Sequence, residues 1–159
     1  MKDAWKQFEE KLKRDWIKGC NFEALLNHQF TTLGDRTWRK LLYQYAFNYY
    51  DYHHADWLDE AFIFIEEELE DPKNRTLLKE ELFDIQQEIR YTQGENSWSL
   101  SAIAEAVEPL LYKDPLSKNS VRKAINHILF AYSCHSDASV FLEREDAYLC
   151  QLFLSLTNS

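Results

Sequence analysis

Turn-forming residues are scarce in this chain, which has three glycines and three prolines in 159 residues. Runs that alternate β-branched and polar residues are missing as well, and these two absences exclude a sheet built on tight hairpins. They favour helices joined by short polar loops. No apolar run approaches the roughly 18–20 residues of a membrane span. The opening "MKDAWKQFEEKLKRDW" is charged throughout, so no secretory leader is expected there. Cys20, Cys134 and Cys150 are odd in number and widely spaced, with no CxxC and no Cys/His ligand pair. Reduced thiols behaving as small apolar side chains are therefore expected, rather than a disulfide framework or a structural zinc site. Phosphate-binding glycine loops, G-x-S-x-G and H-E-x-x-H are absent too. A soluble, cytoplasmic protein is therefore expected.

Apolar residues are plentiful: 45 % of the chain is hydrophobic and 15 % aromatic. A chain of this length buries roughly 70 % of the surface it exposes when unfolded, so one domain over residues 1–159 is the simplest organisation. Helical spacing recurs throughout. The successive stripes are Trp5, Phe8, Leu12 and Trp16; Phe22, Leu25 and Leu26 behind a capping Asn21; and Trp38, Leu41, Leu42, Tyr45, Ala46 and Tyr49. Leu58, Ala61, Phe62, Ile65 and Leu69 follow, then Leu78, Leu82, Ile85 and Ile89. Ile103, Ala106, Val107, Leu110 and Leu111 make a stripe that Pro109 should kink or tighten near its end. Val121, Ala124, Ile125, Ile128, Leu129 and Tyr132 precede the last stripe, Leu149, Leu152, Phe153 and Leu156. The expected fold is all-α, a compact bundle of seven or eight helices.

Charge is distributed unevenly. The net charge is -9 and the sequence pI about 5.0, which argues against nucleic-acid binding because phosphate neutralisation needs clustered Lys and Arg. Nine of the 27 acids lie in "DYHHADWLDEAFIFIEEELED", residues 51–71, which has no Lys or Arg; the other acids and bases balance. On a helix, Trp57, Leu58, Ala61, Phe62, Phe64, Ile65 and Leu69 share an arc of about 160°. Asp56, Asp59, Glu60, Glu66, Glu67, Glu70 and Asp71 take the opposite side. Glu68 falls inside the apolar arc, where it should sit at a frayed end or snorkel outward. Ile63 projects from the middle of the acidic face. Two roles fit this pattern: a solvated face with Ile63 covered by a neighbouring helix, or an exposed apolar anchor ringed by carboxylates, which suits a basic protein surface because a few buried anchors carry interface energy while charge steers encounter. Asp56, Asp59, Glu60, Ile63, Glu66, Glu67 and Glu70 are the expected partner-binding residues. Tyr43, Tyr45, Tyr49, Tyr50 and Tyr52 lie just upstream. In composition and charge layout the chain is similar to bacterial toxin-immunity proteins, small acidic helical proteins that block basic nucleases. That resemblance implies an immunity or inhibitor role without catalysis or cofactor; a regulatory adaptor fits the same chemistry.

Three further patterns bear on chemistry. Glu66, Glu67 and Glu70 spell E-E-x-x-E, and Glu81 with Asp84 spells E-x-x-D. This resembles the magnesium motif of the MazG-like, all-α NTP pyrophosphohydrolases, whose carboxylates on two antiparallel helices hold the ions that bind nucleotide phosphates. The resemblance implies Mg²⁺ at those five residues, with Lys73, Arg75 or Lys79 on phosphate. Arg122 and His127 match the R-x(4–6)-H pattern of HEPN domains, which include metal-independent RNases; the match implies His acting on the 2′-hydroxyl or leaving group and Arg on phosphate. The alternative role is two polar residues flanking a core stripe. Asp51, His53 and His54 offer metal-ligand types, but adjacent histidines point in different directions on a helix. They are expected in the connection before the acidic helix, where negative neighbours favour their protonated forms.

Overall fold

The computed structural model describes residues 21–70, 83–88, 98–112, 114–134 and 141–157. The fold is all-α: among the described residues there are seven helical segments and no strand. Helix α1 is Asn21–Gln29 and α2 is Asp35–Tyr52. A 3-10 turn over Asp56–Leu58 leads into α3, Asp59–Glu70. Residues 83–88 are helical. Then come α4 (Trp98–Val107) with a 3-10 turn at Glu108–Leu111, α5 (Lys118–Ser133) and α6 (Phe141–Thr157). The stripe at residues 5–16, Cys20, Lys73, Arg75, Leu78, Lys79, Glu81, Leu82 and Ile89 lie outside the described residues.

Helix α2 is the hub, packing against α3, α4, α5 and α6. Its sequence explains why. Trp38, Leu41, Leu42, Tyr45, Ala46 and Tyr49 recur at helical spacing and all are buried. The same correspondence holds on α5, where Val121, Ala124, Ile125, Ile128 and Leu129 are buried and Tyr132 is half-buried. Pro109 tightens rather than kinks its helix. Proline cannot supply an interior N–H, and the chain passes from α4 into the 3-10 turn that buries Leu110 and Leu111.

Polar side chains close the ends of these helices. The Ser117 hydroxyl accepts the Ser120 N–H at 3.0 Å and caps α5. The start of α1 is capped from a distance, because the buried Asp146 of α6 accepts the Phe22 N–H at 2.9 Å. Arg39, also buried, is a clamp. Its Nε donates to Asp35 Oδ2 at 2.6 Å, Nη1 to the Leu110 carbonyl at 3.3 Å, and Nη2 to the Asp114 carbonyl at 2.6 Å. Asp35 Oδ1 in turn accepts the Leu116 N–H at 2.7 Å, so the loop before α5 is bound to the first turns of α2. In the core, the Tyr45 hydroxyl donates to buried Glu145 at 2.8 Å, and burial followed by that carboxylate pushes the phenol well above its ordinary value. No helix among the described residues is long and apolar enough to cross a membrane.

Candidate functional site on the acidic helix

Helix α3 buries one side against α2. Ala61, Phe62, Phe64 and Ile65 are buried, as is Leu58 in the preceding turn, and Leu69 is half-buried. The neighbouring face of α2 supplies rings at i, i+4 and i+7. Tyr50 stacks on Phe62 with centroids 4.1 Å apart, while Tyr43 and Phe47 tilt against the same ring at 5.9 and 6.2 Å. These packed rings fix how far α3 rotates about its own axis, and therefore which residues it turns outward.

Ile63 is one of those residues. It is 53 % exposed, although the buried residues Phe62 and Phe64 adjoin it. On a helix its neighbours at i−4, i−3, i+3, i+4 and i+7 are Asp59, Glu60, Glu66, Glu67 and Glu70. Glu60, Glu66, Glu67 and Glu70 are exposed, and among the described residues none of them pairs with a Lys or Arg. The negative field reaches neighbouring groups on both flanks. On one side burial, then Glu66 and Glu70, raise the Tyr43 phenol to about 12. On the other, burial, then Glu60 and Asp59, hold the Glu88 carboxyl above its ordinary value. The last turn of α3 also carries acids and no base, the arrangement a helix dipole disfavours. One cation answers it: Arg36 donates to the Leu69 carbonyl at the end of the helix.

The seven residues expected to act together divide into two groups. Glu60, Ile63, Glu66, Glu67 and Glu70 share the open face. Asp56 and Asp59 gather instead around His54, at the entrance to the helix. His54 Nε2 lies 2.7 Å from Asp59 Oδ1 and Nδ1 lies 3.5 Å from Asp56 Oδ1, and the Tyr50 hydroxyl donates to that same Asp59 oxygen. The two histidines do diverge as expected. His53 caps α2, its N–H bonded to the Tyr49 carbonyl at 2.8 Å and its ring 4.4 Å from that of Tyr49. Asp51 is exposed and takes no part in the His54 group.

Glu68 departs from expectation. It neither frays nor snorkels but is 6 % exposed, beside a cavity of about 150 Å³ walled by Asp35, Arg36, Arg39, Ile65, Leu69 and Leu110. The residue shares its arc with Ile65 and Leu69, and α2 places two guanidinium groups, Arg36 and Arg39, around the same cavity.

The magnesium set is only partly described. Glu66, Glu67 and Glu70 are exposed on α3 and Asp84 is exposed on the 83–88 segment, while Glu81 lies outside the described residues. Among the described residues, the group whose donor atoms converge as a metal site requires is His54, Asp56 and Asp59. Arg122 and His127 serve different neighbours. Arg122 bonds Glu23, Asn27 and Asn119, tying α5 to α1. His127 Nε2 lies 3.2 Å from Glu105 Oε2, but burial and then Lys123 depress its imidazole to about 4. The contact is therefore a close approach of a neutral imidazole to the carboxylate rather than an ion pair at neutral pH. Cys134 is exposed rather than packed, and burial followed by Asp146 raises the Cys150 thiol to about 11. Neither thiol is activated.

The residues that sequence reasoning missed here are Arg36 and Arg39, which nothing in the spacing marked; Tyr50 was noted in the tyrosine-rich run, but not its bond to Asp59. Comparison with protein-family models, with curated proteins and with solved structures finds no match to this chain.

Proposed function

We propose that this protein acts by binding, and that its ligand is a basic protein surface received on the open face of α3. Ile63 is the anchor, and Glu60, Glu66, Glu67 and Glu70 are the surrounding charge. The observation that carries this reading is the exposure of Ile63 within a ring of carboxylates that no Lys or Arg among the described residues neutralises. Apolar anchors in charged surrounds concentrate binding energy and raise association rates. An isoleucine 53 % exposed between two buried phenylalanines is available for such a contact without any rearrangement of the helix. The most concrete form of the role is an immunity or inhibitor protein that covers the nucleic-acid groove of a cytoplasmic toxin; a regulatory adaptor uses the same chemistry.

Parallel affinity capture with wild-type and Ile63→Asp baits tests this. A partner with a basic surface should be retained by the wild type and lost by the variant, whose melting temperature stays near that of the wild type. Identical captures by both baits would remove the reading.

A second reading keeps one structural observation. Glu88 lies within electrostatic reach of Glu60 and Asp59, so carboxylates on 83–88 approach those on α3 from a separate segment. Two acidic helices side by side are what Mg²⁺-dependent pyrophosphohydrolysis needs, with Glu66, Glu67, Glu70, Glu81 and Asp84 as ligands. Pyrophosphate release from a nucleoside triphosphate panel with Mg²⁺, abolished by Glu67→Gln, would establish it. No turnover, with no change in melting temperature on adding Mg²⁺, would dismiss it.

A further inference from the structure

The connection between α2 and α3 holds a second constellation, separate from the Ile63 face. We propose that His54, Asp56 and Asp59 form a site for one divalent transition-metal ion of the zinc class. The three side chains come from different local structures: His54 from the connection, Asp56 from the 3-10 turn and Asp59 from the first position of α3. The two turns fold them back on one another, and one donor atom from each lies within 4.8 Å of the others. A tetrahedral ion held at about 2.0–2.2 Å from imidazole nitrogen and carboxylate oxygen sets its donor atoms roughly 3.3–3.6 Å apart, so side-chain rotations that even out these separations bring all three into its shell. All three side chains reach solvent, which gives the ion an entry path and water for its remaining positions.

Chemistry of the donor set selects the ion. One imidazole nitrogen with two carboxylate oxygens suits zinc and its neighbours, whereas Mg²⁺ prefers oxygen alone and retains most of its own water. Support around the ligands is already in place. Tyr50 donates to Asp59 and its ring lies 5.2 Å from the His54 ring, so α2 orients two of the three ligands. An independent feature favours a cation here. Glu60 and Glu88 add their carboxylates from α3 and from the 83–88 segment, and Glu88 registers the negative field of Glu60 and Asp59. Two carboxylates thus flank the imidazole, and among the described residues Asp56 and Asp59 have His54 as their only ion-pair partner. A divalent ion would offset the charge of the two aspartates, and it would pin the α2–α3 connection to the start of α3.

Isothermal titration of the full chain with ZnCl₂, and separately with MgCl₂, in a non-chelating buffer at neutral pH tests the site. Saturable binding of one Zn²⁺ is expected, weakened about tenfold or more in His54→Ala and in Asp56→Ala, and unchanged in His28→Ala, which removes an exposed histidine elsewhere. Circular dichroism of each variant should match the wild type, since all three positions reach solvent. Absence of saturable Zn²⁺ binding would overturn the proposal. So would equal affinity in wild type and His54→Ala, which would mean an adventitious ion only, or equal affinity for Zn²⁺ and Mg²⁺.

Discussion

Arg39 on α2 and Glu67 on α3 are both charged residues on amphipathic helices, but their surroundings differ. Around Arg39 the charges are answered from within. Its guanidinium engages one carboxylate and two carbonyls, and Asp35 uses its second oxygen on the Leu116 N–H. Along the open face of α3, Glu60, Glu66, Glu67 and Glu70 stand in solvent around Ile63 with no Lys or Arg paired to them among the described residues. Buried charge must be paired to be tolerated at all, so the first arrangement is a condition of folding. Like charges clustered at the surface repel one another and cost stability, so the fold has no use for the second. That asymmetry separates residues that hold the molecule together from residues available to something else.

Substitutions should therefore have very different effects in the two regions. The largest is expected at Arg39. Arg39→Ala opens a gap in the core and removes three hydrogen bonds, leaving the Leu110 and Asp114 carbonyls and the half-buried Asp35 carboxylate without this donor, for a loss of about 3–5 kcal/mol in denaturant unfolding. Phe62→Ala, which takes away the ring that Tyr43, Phe47 and Tyr50 pack against, belongs in the same range of about 3–5 kcal/mol. Should either variant melt like the wild type, the division between structural and available residues would fail on its structural side.

A pH series gives an intermediate effect. Burial holds the His127 imidazole down to about 4 against an ordinary 6.5, so the unfolded chain takes up this proton more readily than the folded one. Stability from this group is complete above the unfolded value and is lost as pH falls from there toward the folded one. Between pH 7 and pH 5 it should amount to about 2 kcal/mol, and His127→Gln should flatten that part of the profile while leaving Glu105 and Lys123 in place. An unchanged slope in the variant would show that His127 is not the group responsible.

The smallest effects should come from the acidic face. Glu67→Lys places a cation in the last turn of α3, where it should add about 0.3–1 kcal/mol of stability while weakening the basic-partner contact. Ile63→Asp should alter stability by no more than about 0.5 kcal/mol, in contrast to Phe62→Ala one position away. Sharp destabilisation by Ile63→Asp would make Ile63 a core residue after all.

Most of the architecture was legible because it depends on periodicity. The stripe from Trp38 to Tyr49 predicted both the helix and its buried face, and the stripe from Val121 to Leu129 did the same for α5. The outward turn of Ile63 was legible for the same reason, since its neighbours in the sequence fill the apolar arc and leave it no place there. What periodicity does not carry is the long-range partner of a polar group. Arg39 directly follows Trp38, yet its clamp depends on carbonyls at Leu110 and Asp114, more than 70 positions away. Asp146 capping α1 is hidden for the same reason. The fate of Glu68 turned on whether a residue on the apolar arc would find guanidinium groups nearby, which the arc alone cannot reveal. His54 and Asp59 are close in sequence, but their meeting requires the 3-10 turn at Asp56–Leu58 to fold the connection back.

The measurement that bears most directly on the acidic face is the thermal melt of a variant carrying Glu60→Gln, Glu66→Gln, Glu67→Gln and Glu70→Gln together. If these carboxylates serve a partner rather than the fold, removing their mutual repulsion should leave the melting temperature unchanged or raise it. A drop of many degrees would mean that the charges hold the helix in place, and that α3 is a structural element like α2.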